Sequence, residues 1–176
     1  MLRTPLAASI LALVVVGMTT TGCGGKGAAA ADTTAVPASR TPAEVVDAGQ
    51  RTVEQWRQAY EVHSVDALAP LYLQDLDVAV ADQGRLQRGW TAVETYLSTR
   101  VNAAKEIHIT LDDLQVTALG PGAASVLATM TRETSDGVTT VTERGVLTLA
   151  LRAEPDAEGG HWVIVTEHYS YPPTAQ

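Results

Sequence analysis

The chain has 176 residues, a length that corresponds to one domain. Its 12 basic and 20 acidic side chains give a net charge of −8, and without a basic run this charge argues against nucleic acid as a partner. A hydrophobic share of 45% against a charged share of 18% excludes a disordered acidic tail, and the single cysteine, Cys23, excludes an internal disulfide.

The first 22 residues have the pattern of a secretory signal peptide. Arg3 precedes an apolar segment of 12 residues, Leu6–Gly17, which is shorter than the roughly 20 residues that a membrane-spanning helix needs. The sequence TTGC that follows ends at Cys23 and resembles the lipobox of bacterial lipoproteins, although Thr20 stands where that family usually has Leu. The resemblance implies cleavage before Cys23, acylation of its thiol (for example with palmitate), and a protein anchored at the extracytoplasmic face of the cell membrane. The alternative is an ordinary signal peptide, a secreted product and an incidental cysteine.

A low-complexity segment links this region to the folded part of the chain. Residues 23–41 contain the cysteine and a run of small and polar residues with nothing to bury, which predicts a flexible tether. We place the folded domain at residues 42–173 and a short tail at residues 174–176.

The N-terminal half of the domain predicts three helices and a short hairpin. Thr41, Pro42 and Glu44 form the signature of a capped helix start, followed by apolar residues at helical spacing. A second, short helix follows at Ser64–Tyr72. Alternation from Leu76 to Ala81 predicts a strand that turns back at Asp82-Gln83-Gly84, and Gly89 opens the third helix.

The C-terminal half predicts four long antiparallel strands. A change of alternation at Asp112-Asp113 indicates a β-bulge in the first of them. Asp136-Gly137 predicts a two-residue hairpin turn that pairs Ser135 with Val138. The last strand is predicted at His161–Tyr171 and ends before Pro172-Pro173. The order of elements indicates an α+β domain with helices packed on one face of a curved antiparallel sheet.

Two segments, GWTAVETYL and HWVIVTEHYSYP, together with this order of elements, resemble the nuclear transport factor 2-like superfamily and its SnoaL-like (polyketide cyclase-like) branch. The residues that carry the resemblance in the last strand are Trp162, Ile164, His168 and Ser170. The resemblance covers about residues 43–173. It implies a cone-shaped fold in which three N-terminal helices and a curved antiparallel sheet enclose one pocket. The superfamily includes isomerases, cyclases and dehydratases as well as binding domains, so the fold does not determine the function.

Strand alternation predicts which side chains face the pocket. In the predicted register, Arg132 and Glu143 are diagonal neighbours, and His168 lies opposite Gly145 on the same face. The face is apolar at one end and polar at the other, which is typical of a ligand pocket. The predicted pocket residues are Trp56, Tyr60, Tyr96, Met130, Arg132, Glu143, His168 and Ser170.

Each of these polar residues also has a structural interpretation. Arg132 and Glu143 are either a ligand-orienting pair or a partly exposed ion pair of little energy. His168 is either an acid or base or a hydrogen-bonded histidine at a strand end. Ser170 lies two residues from His168, too far for a reliable nucleophile–base bond, which argues against a serine hydrolase.

Asp82 and His168 are the candidates for catalysis, and neither is assigned as a catalytic residue. In the ketosteroid isomerase-like branch of the superfamily, a catalytic Asp stands near the end of the first strand, where Asp82 is the one acid present. Trp56 occupies the place of that branch's catalytic Tyr, and no second acid matches, so that mechanism does not carry over. Asp82 is otherwise a turn residue. We predict no metal and no cofactor, because the four histidines lack ligand spacing and no phosphate loop is present.

The sequence favours a membrane-anchored lipoprotein that binds a small, largely apolar ligand or an envelope partner without catalysis. The alternative is an isomerase- or cyclase-like enzyme with a general base in the pocket. The outer face of the sheet has no helix to cover it, which predicts a homodimer through that face. Its predicted residues are Leu127, Thr129, Thr131, Val146, Thr148, Ala150, Val163, Val165, Tyr169 and Tyr171.

Overall fold

The computed structural model describes residues 40–155 and 160–171, which form one α+β domain. The predicted signal peptide, Cys23 and most of the predicted tether lie outside the described residues. In chain order the elements are α1 (Pro42–Glu61), α2 (Val65–Leu68), a 3-10 turn (Ala69–Leu71), β1 (Ala79–Asp82), β2 (Arg85–Arg88), α3 (Trp90–Asn102), β3 (Glu106–Gly120), β4 (Ala123–Ser135), β5 (Thr140–Glu154) and β6 (His161–Ser170). The fold predicted from the sequence is confirmed.

Helix α1 begins with the predicted capping box. The Thr41 side chain accepts the backbone N–H of Glu44, and the Glu44 carboxylate accepts the backbone N–H of Thr41 at 2.7 Å. Pro42 occupies the first turn, where a missing N–H costs nothing. The buried face of α1 carries Trp56 and Tyr60 toward the sheet, so the helix start determines where these two aromatic side chains lie.

The hairpin after the short helices is shorter than predicted. The Asp75 carboxylate accepts the backbone N–H of Asp77 at 2.7 Å, which makes a turn where the alternation predicts a strand. Leu76 is consequently 89% exposed. Strand β1 therefore begins at Ala79, and Gln83 and Gly84 form a two-residue turn, both with positive φ, that brings Arg85 opposite Asp82.

The six strands form one mixed sheet in the order β2-β1-β6-β5-β4-β3. Strands β3 to β6 are antiparallel neighbours, as predicted, but β1 pairs parallel to β6. The helical segments between β2 and β3 and before β1 allow this parallel pairing, because the chain crosses over the sheet. The pairing places Asp82, at the end of β1, beside the C-terminal half of β6.

The predicted bulge in β3 is present. Asp112 pairs with Thr129 while Gln115 pairs with Leu127, and Asp113 has a φ of 54°. The register of the β4–β5 hairpin differs from the predicted one, since Ser135 pairs with Thr140 and not with Val138. The Asp136 carboxylate accepts the backbone N–H groups of Val138 and Thr139, so the turn contains four residues. This shift of two residues leaves the faces of β4 and β5 as predicted.

The register predicted for the last strand, with His168 opposite Gly145, is wrong along its whole length, because Trp162 pairs with Ala153 and His168 pairs with Thr148. Ile164 pairs with Leu151, but Thr166 pairs with Ala150, which leaves Val165 as an unpaired extra residue. Such a bulge reverses the side-chain faces that follow it. On the opposite edge of β6, the segment before β1 is bound at the same point, since the backbone N–H of Leu73 donates to the carbonyl of Ile164 at 3.0 Å.

The bulge exchanges the two sets of side chains at the end of β6. His168 and Ser170, predicted to face the pocket, are exposed on the outer face. Tyr169 and Tyr171, predicted on the outer face, lie on the inner one, where Tyr169 is 3% exposed. Glu167 joins them there.

The core lies between the helices and the inner face of the sheet. Its apolar part consists of aliphatic side chains from every long element, among them Val53, Leu97, Ile109, Met130, Leu149 and Ile164. Four polar residues are also buried: Thr52, Asp82, Arg132 and Glu167. Within residues 40–155 and 160–171, no helix has the length and apolar content needed to cross a membrane.

Candidate functional site

The inner side of the domain gathers all five tyrosines of the chain around buried charged groups. Helix α1 supplies Tyr60, the segment before β1 supplies Tyr72, α3 supplies Tyr96, and the end of β6 supplies Tyr169 and Tyr171. The polar groups form two adjoining sets. We call Trp56, Tyr60, Tyr72, Glu167 and Tyr169 the tyrosine cluster, and Asp82, Arg100, Arg132 and Glu143 the charge chain.

Glu167 is the centre of the tyrosine cluster and is fully buried. Its Oε2 accepts the hydroxyl of Tyr72 and, at 3.3 Å, the indole N–H of Trp56. Burial raises the pKa of Glu167, against the opposing effects of the hydroxyl donors and the positive charge of Arg132. The protonated, neutral form of this carboxyl group is therefore favoured to a higher pH than in an exposed glutamate.

Two phenols face this carboxyl group without a well-formed hydrogen bond. The hydroxyls of Tyr60 and Tyr169 and the Oε1 atom of Glu167 are all buried and lack a partner of good geometry among the described residues. Burial, and next the nearby Glu167, raise the pKa of each phenol far above its usual value. Both side chains are thus neutral hydroxyls that can donate or accept.

The charge chain alternates two carboxylates with two guanidinium groups. Arg100 donates to Asp82 at 2.5 Å and to Glu143 at 3.0 Å. Arg132, directly opposite Glu143 in the sheet, donates to it through Nε at 2.9 Å. Gln83, in the β1–β2 turn, adds a third donor to Glu143 at 2.9 Å. All four charged groups of the charge chain are thereby paired, and the bond from Gln83 connects the β1–β2 hairpin to β5.

Arg132 is 1% exposed, which makes it the most deeply buried cation of the site. Its guanidinium lies 4.8 Å from the ring centre of Tyr169 and donates to the Tyr171 hydroxyl at 2.7 Å. Burial acts against its charged form, but Tyr169, Tyr171 and Glu143 outweigh it and keep the pKa of Arg132 above its usual value. Its Nη1 atom is buried and makes no hydrogen bond within the described residues.

Asp82 connects the charge chain to the surface. Its Oδ2 accepts both Arg100 and the Tyr96 hydroxyl, the latter at 2.7 Å, while Oδ1 is buried and unpaired among the described residues. A cavity of about 350 Å³ opens between the β1–β2 hairpin and α3. Its lining consists of Asp82, Gln83, Arg85, Gln87, Ala92, Thr95, Tyr96, Thr99 and Arg100. Asp82 thus lines this cavity, although its unpaired oxygen is itself buried.

The structure brings six of the eight predicted pocket residues together. Trp56, Tyr60, Tyr96, Met130, Arg132 and Glu143 all lie on the inner side of the domain, and Asp82 joins them. His168 and Ser170 do not, because the bulge at Val165 turns them to the outer face. Whether the six bind a ligand stays a prediction.

The sequence interpretation missed Arg100, Tyr72, Glu167, Tyr169 and Tyr171. One signal was available in the last strand: Glu167, Tyr169 and Tyr171 follow one another at a spacing of two, so they share a face wherever the register falls. Arg100 and Tyr72 have no comparable signal, because crossover packing, not local spacing, brings them to the site.

The site has the groups for proton transfer and for ligand binding, but its geometry is closed. Glu167 is enclosed by aromatic rings, and the free carboxylate oxygen of Asp82 is buried. In the part of the chain that the structure describes, no three His, Cys, Asp or Glu side chains are grouped so that they could hold a metal ion.

Comparison with known families assigns the domain. The sequence model of the SnoaL-like domain matches residues 50–174. The match covers more than half of the chain, and the chain therefore belongs to the SnoaL-like domain family. No curated protein matches the chain.

Solved structures share the fold at low identity. A candidate dehydratase of the NTF2-like family from Streptomyces avermitilis is 22% identical over 76% of this chain and 100% of that chain, with a TM-score of 0.68. An NTF2-like superfamily protein from Salmonella enterica is 16% identical over 76% of this chain and 95% of that one, with a TM-score of 0.67. A candidate scytalone dehydratase from Novosphingobium aromaticivorans is 12% identical over 72% and 83%, with a TM-score of 0.63. At these identities the likeness concerns the fold alone.

Proposed function

We propose that this protein is an exported, lipid-anchored binding protein whose SnoaL-like domain holds a small polar ligand at the charge chain without converting it. The carrying observation is that, among the described residues, five buried polar atoms on the inner side of the domain lack hydrogen bonds. Two belong to the charge chain, Asp82 Oδ1 and Arg132 Nη1, and three belong to the adjoining tyrosine cluster, Tyr60 Oη, Glu167 Oε1 and Tyr169 Oη. Buried polar groups without partners are rare, and each costs about 1–3 kcal/mol. A ligand that pairs with several of them would recover part of that cost.

The unpaired atoms define the chemistry of the ligand. Asp82 Oδ1 accepts, Arg132 Nη1 donates, and the two tyrosine hydroxyls can do either. A complementary molecule carries a donor and an acceptor close together, as a primary amide, a hydroxy acid or a short polyol does. These groups favour a polar ligand over the largely apolar one that strand alternation suggests.

The same geometry supports binding over catalysis. A general base needs a lone pair within about 3 Å of the substrate proton. Glu167 is favoured in its protonated form, and Oδ2 of Asp82 is occupied by Arg100 and Tyr96. Glu167 is thus a poor base in this arrangement, and Asp82 has only its buried Oδ1 atom left to act as one.

A ligand screen tests the binding proposal. The probes are hydroxy acids, primary amides and short polyols, measured by ligand-observed NMR against the whole chain. For any probe that binds, we expect Asp82→Asn and Arg132→Met to weaken the affinity at least about tenfold, which corresponds to 1.4 kcal/mol. Asp66→Asn, an exposed change on α2, is the matched control. Equal affinities in all four proteins would contradict the proposal.

An isomerase- or cyclase-like enzyme is the second candidate. It is favoured by Glu167, a buried acid whose pKa is raised and which is bonded to the Tyr72 hydroxyl, and by the names of two structural neighbours described as dehydratases. In that case Glu167 would act as a general acid. A turnover that disappears in Glu167→Gln while the melting temperature is retained would establish the enzyme and overturn the binding proposal.

The anchor has its own test, because it depends on Cys23 alone. Cys23→Ala should release the protein from the membrane fraction or leave it unprocessed. Inhibition of the lipoprotein signal peptidase should leave a larger precursor. Mass spectrometry of the mature protein should find an N-terminal acylated cysteine, and a mature chain that starts elsewhere without acyl mass would refute the anchor.

A further inference from the structure

Two cavities lie end to end between strand β2 and helix α3. The larger has a volume of about 740 Å³ and is lined from Gln74 to Thr95; the smaller is the cavity of about 350 Å³ beside Asp82. They share Gln87, Ala92 and Thr95 as common lining. Together they make one groove, the β2–α3 groove, that runs the length of the strand.

One wall of the groove is a strand with a free edge. Strand β2 is the outermost strand of the sheet on this side and pairs only with β1 among the described strands. Asp82 and Arg85 flank a two-residue turn, so their backbone groups are hydrogen-bonded to each other. The next pair along the hairpin, Ala81 and Leu86, is a non-hydrogen-bonded pair. The backbone N–H and C=O of Leu86 therefore point to the free edge, where another strand can pair with them.

The opposite wall is one face of α3, where a row of threonines lies beside the larger side chains of Trp90, Tyr96 and Arg100. Thr91, Thr95 and Thr99 follow at a spacing of four residues. The Thr95 hydroxyl donates to the carbonyl of Thr91, and the Thr99 hydroxyl donates to that of Thr95, both at 2.8 Å. These two hydroxyls are satisfied within the helix, and the row extends along about 12 Å, the rise of eight residues.

The lining of the groove carries a small excess of positive charge, with Arg85, Arg88 and Arg100 against Asp75 and Asp82, whereas the protein as a whole is acidic. Arg85 and Arg88 are exposed and line the groove, and neither makes an ion pair or a side-chain hydrogen bond among the described residues. Every other basic side chain of the groove is matched, since Arg100 binds Asp82 and Glu143. Apolar surface from the exposed Leu76 and the half-buried Trp90 lies at the far end.

We propose that the β2–α3 groove binds an extended, acidic peptide segment of a partner protein, which adds a strand to the free edge of β2. The free backbone groups of Leu86 supply the pairing, and Arg85 and Arg88 select carboxylate side chains. At about 3.3 Å per residue, the groove accommodates roughly four to six residues. The groove includes the cavity beside Asp82 and Tyr96, but the peptide contacts lie on Arg85, Leu86 and Arg88, which the ligand proposed above does not use. Variants of these residues therefore test the peptide separately from the ligand.

Peptide selection against the whole chain tests this proposal. A random heptapeptide library displayed on phage is selected on the protein, and the selected sequences are synthesised with a fluorescent label for anisotropy. We expect the selected peptides to be enriched in Asp and Glu. Affinity should fall at least tenfold for peptides N-methylated at alternate positions, because the methyl groups block pairing with β2.

Variants of the protein complete the test. Arg85→Ala/Arg88→Ala and, separately, Thr95→Arg, which fills the middle of the groove, should each weaken binding at least tenfold with the circular-dichroism melting curve unchanged. Arg144→Ala, an exposed arginine on β5, should bind as the parent does. The proposal is overturned by selection of neutral or basic peptides, by equal binding of the double variant, by equal binding of the N-methylated peptides, or by failure to enrich any peptide over the double variant.

Discussion

Glu167 has an environment that stabilises a neutral carboxyl group better than an anion. Two aromatic donors reach one of its oxygens, and two phenols whose hydroxyls can accept a hydrogen bond face the other. Transfer of an unpaired carboxylate into such an interior costs several kcal/mol, and proteins usually avoid this by keeping the proton. The residue therefore behaves as a polar core group whose protonation depends on pH.

The pH dependence of stability should report this group. Since the folded-state pKa of Glu167 lies above its ordinary value of 4.5, the native state holds the proton more tightly than the unfolded chain does. The stability that it contributes is complete below about pH 4.5 and is lost as the pH rises through the folded-state pKa.

Chemical denaturation of Glu167→Gln from pH 4 to pH 8 measures this loss. The free energy of unfolding of the parent relative to the variant should fall with rising pH, by up to about 1.4 kcal/mol per pH unit in the affected window. Glu133→Gln, an exposed change on β4, should show no such slope. A difference between parent and Glu167→Gln that is constant with pH would mean that folding does not raise the pKa of Glu167.

The pair of Arg132 and Glu143 should respond asymmetrically to substitution. Glu143→Ala leaves a buried guanidinium without its carboxylate, and we expect a loss of about 3 kcal/mol. Arg132→Met removes the buried cation while Glu143 keeps Arg100 and Gln83, so the loss should be below about 1.5 kcal/mol. Urea unfolding of both variants measures the two losses. Equal losses would show that Arg132 does not depend on Glu143 more than Glu143 depends on Arg132.

At the scale of elements, the sequence predicted what depends on local patterns. The capping box at Thr41, the helix opened by Gly89 and the bulge at Asp113 are all present, because each follows from a few neighbouring residues. The bulge at Val165 and the parallel pairing of β1 with β6 were not predictable in this way, since both depend on contacts between distant segments. One missed bulge was enough to exchange His168 and Ser170 for Glu167 and Tyr169 at the candidate site.

Gly145 lies where β5 packs closely against the C-terminal end of β6, so a substitution there tests how tightly the two strands are packed. A Cβ at this position would collide with the backbone carbonyl oxygen of Ser170 and touch the Tyr171 ring. Gly145→Ala should therefore destabilise the domain by about 2 kcal/mol or more, because backbone atoms must move. Thr142→Ala, an exposed change three residues earlier on the same strand, should be within about 0.5 kcal/mol of the parent. Unchanged thermal stability in Gly145→Ala would show that the two strands separate easily.

At the scale of the whole molecule, the outer face of the sheet is the remaining surface to explain. Its centre carries Leu127 and Val146, which are 46% and 39% exposed, and Ala150, surrounded by threonines. His168 and Ser170 add to this face, while Tyr169 and Tyr171 are withdrawn from it. The face is thus less aromatic than the sequence suggests, yet still a mixture of aliphatic and hydroxyl groups suited to an interface.

We predict that this face joins two copies of the chain around a two-fold axis, which would place Leu127 and Val146 near the same residues of the second copy. A standard interface buries about 800 Å² per partner. Strands β3 to β6, each ten or more residues long and about 4.8 Å apart, can supply an area of that order.

Sedimentation of the Cys23→Ala chain, which lacks the proposed anchor, should find a dimer at tens of micromolar. Val146→Glu places like charges at the centre of the interface and should shift the protein to monomer, whereas Val138→Glu, at a turn residue that is 93% exposed, should leave the dimer intact. A parent chain that sediments as a monomer, or a Val146→Glu chain that still dimerises, would instead assign this face to an envelope partner or to solvent.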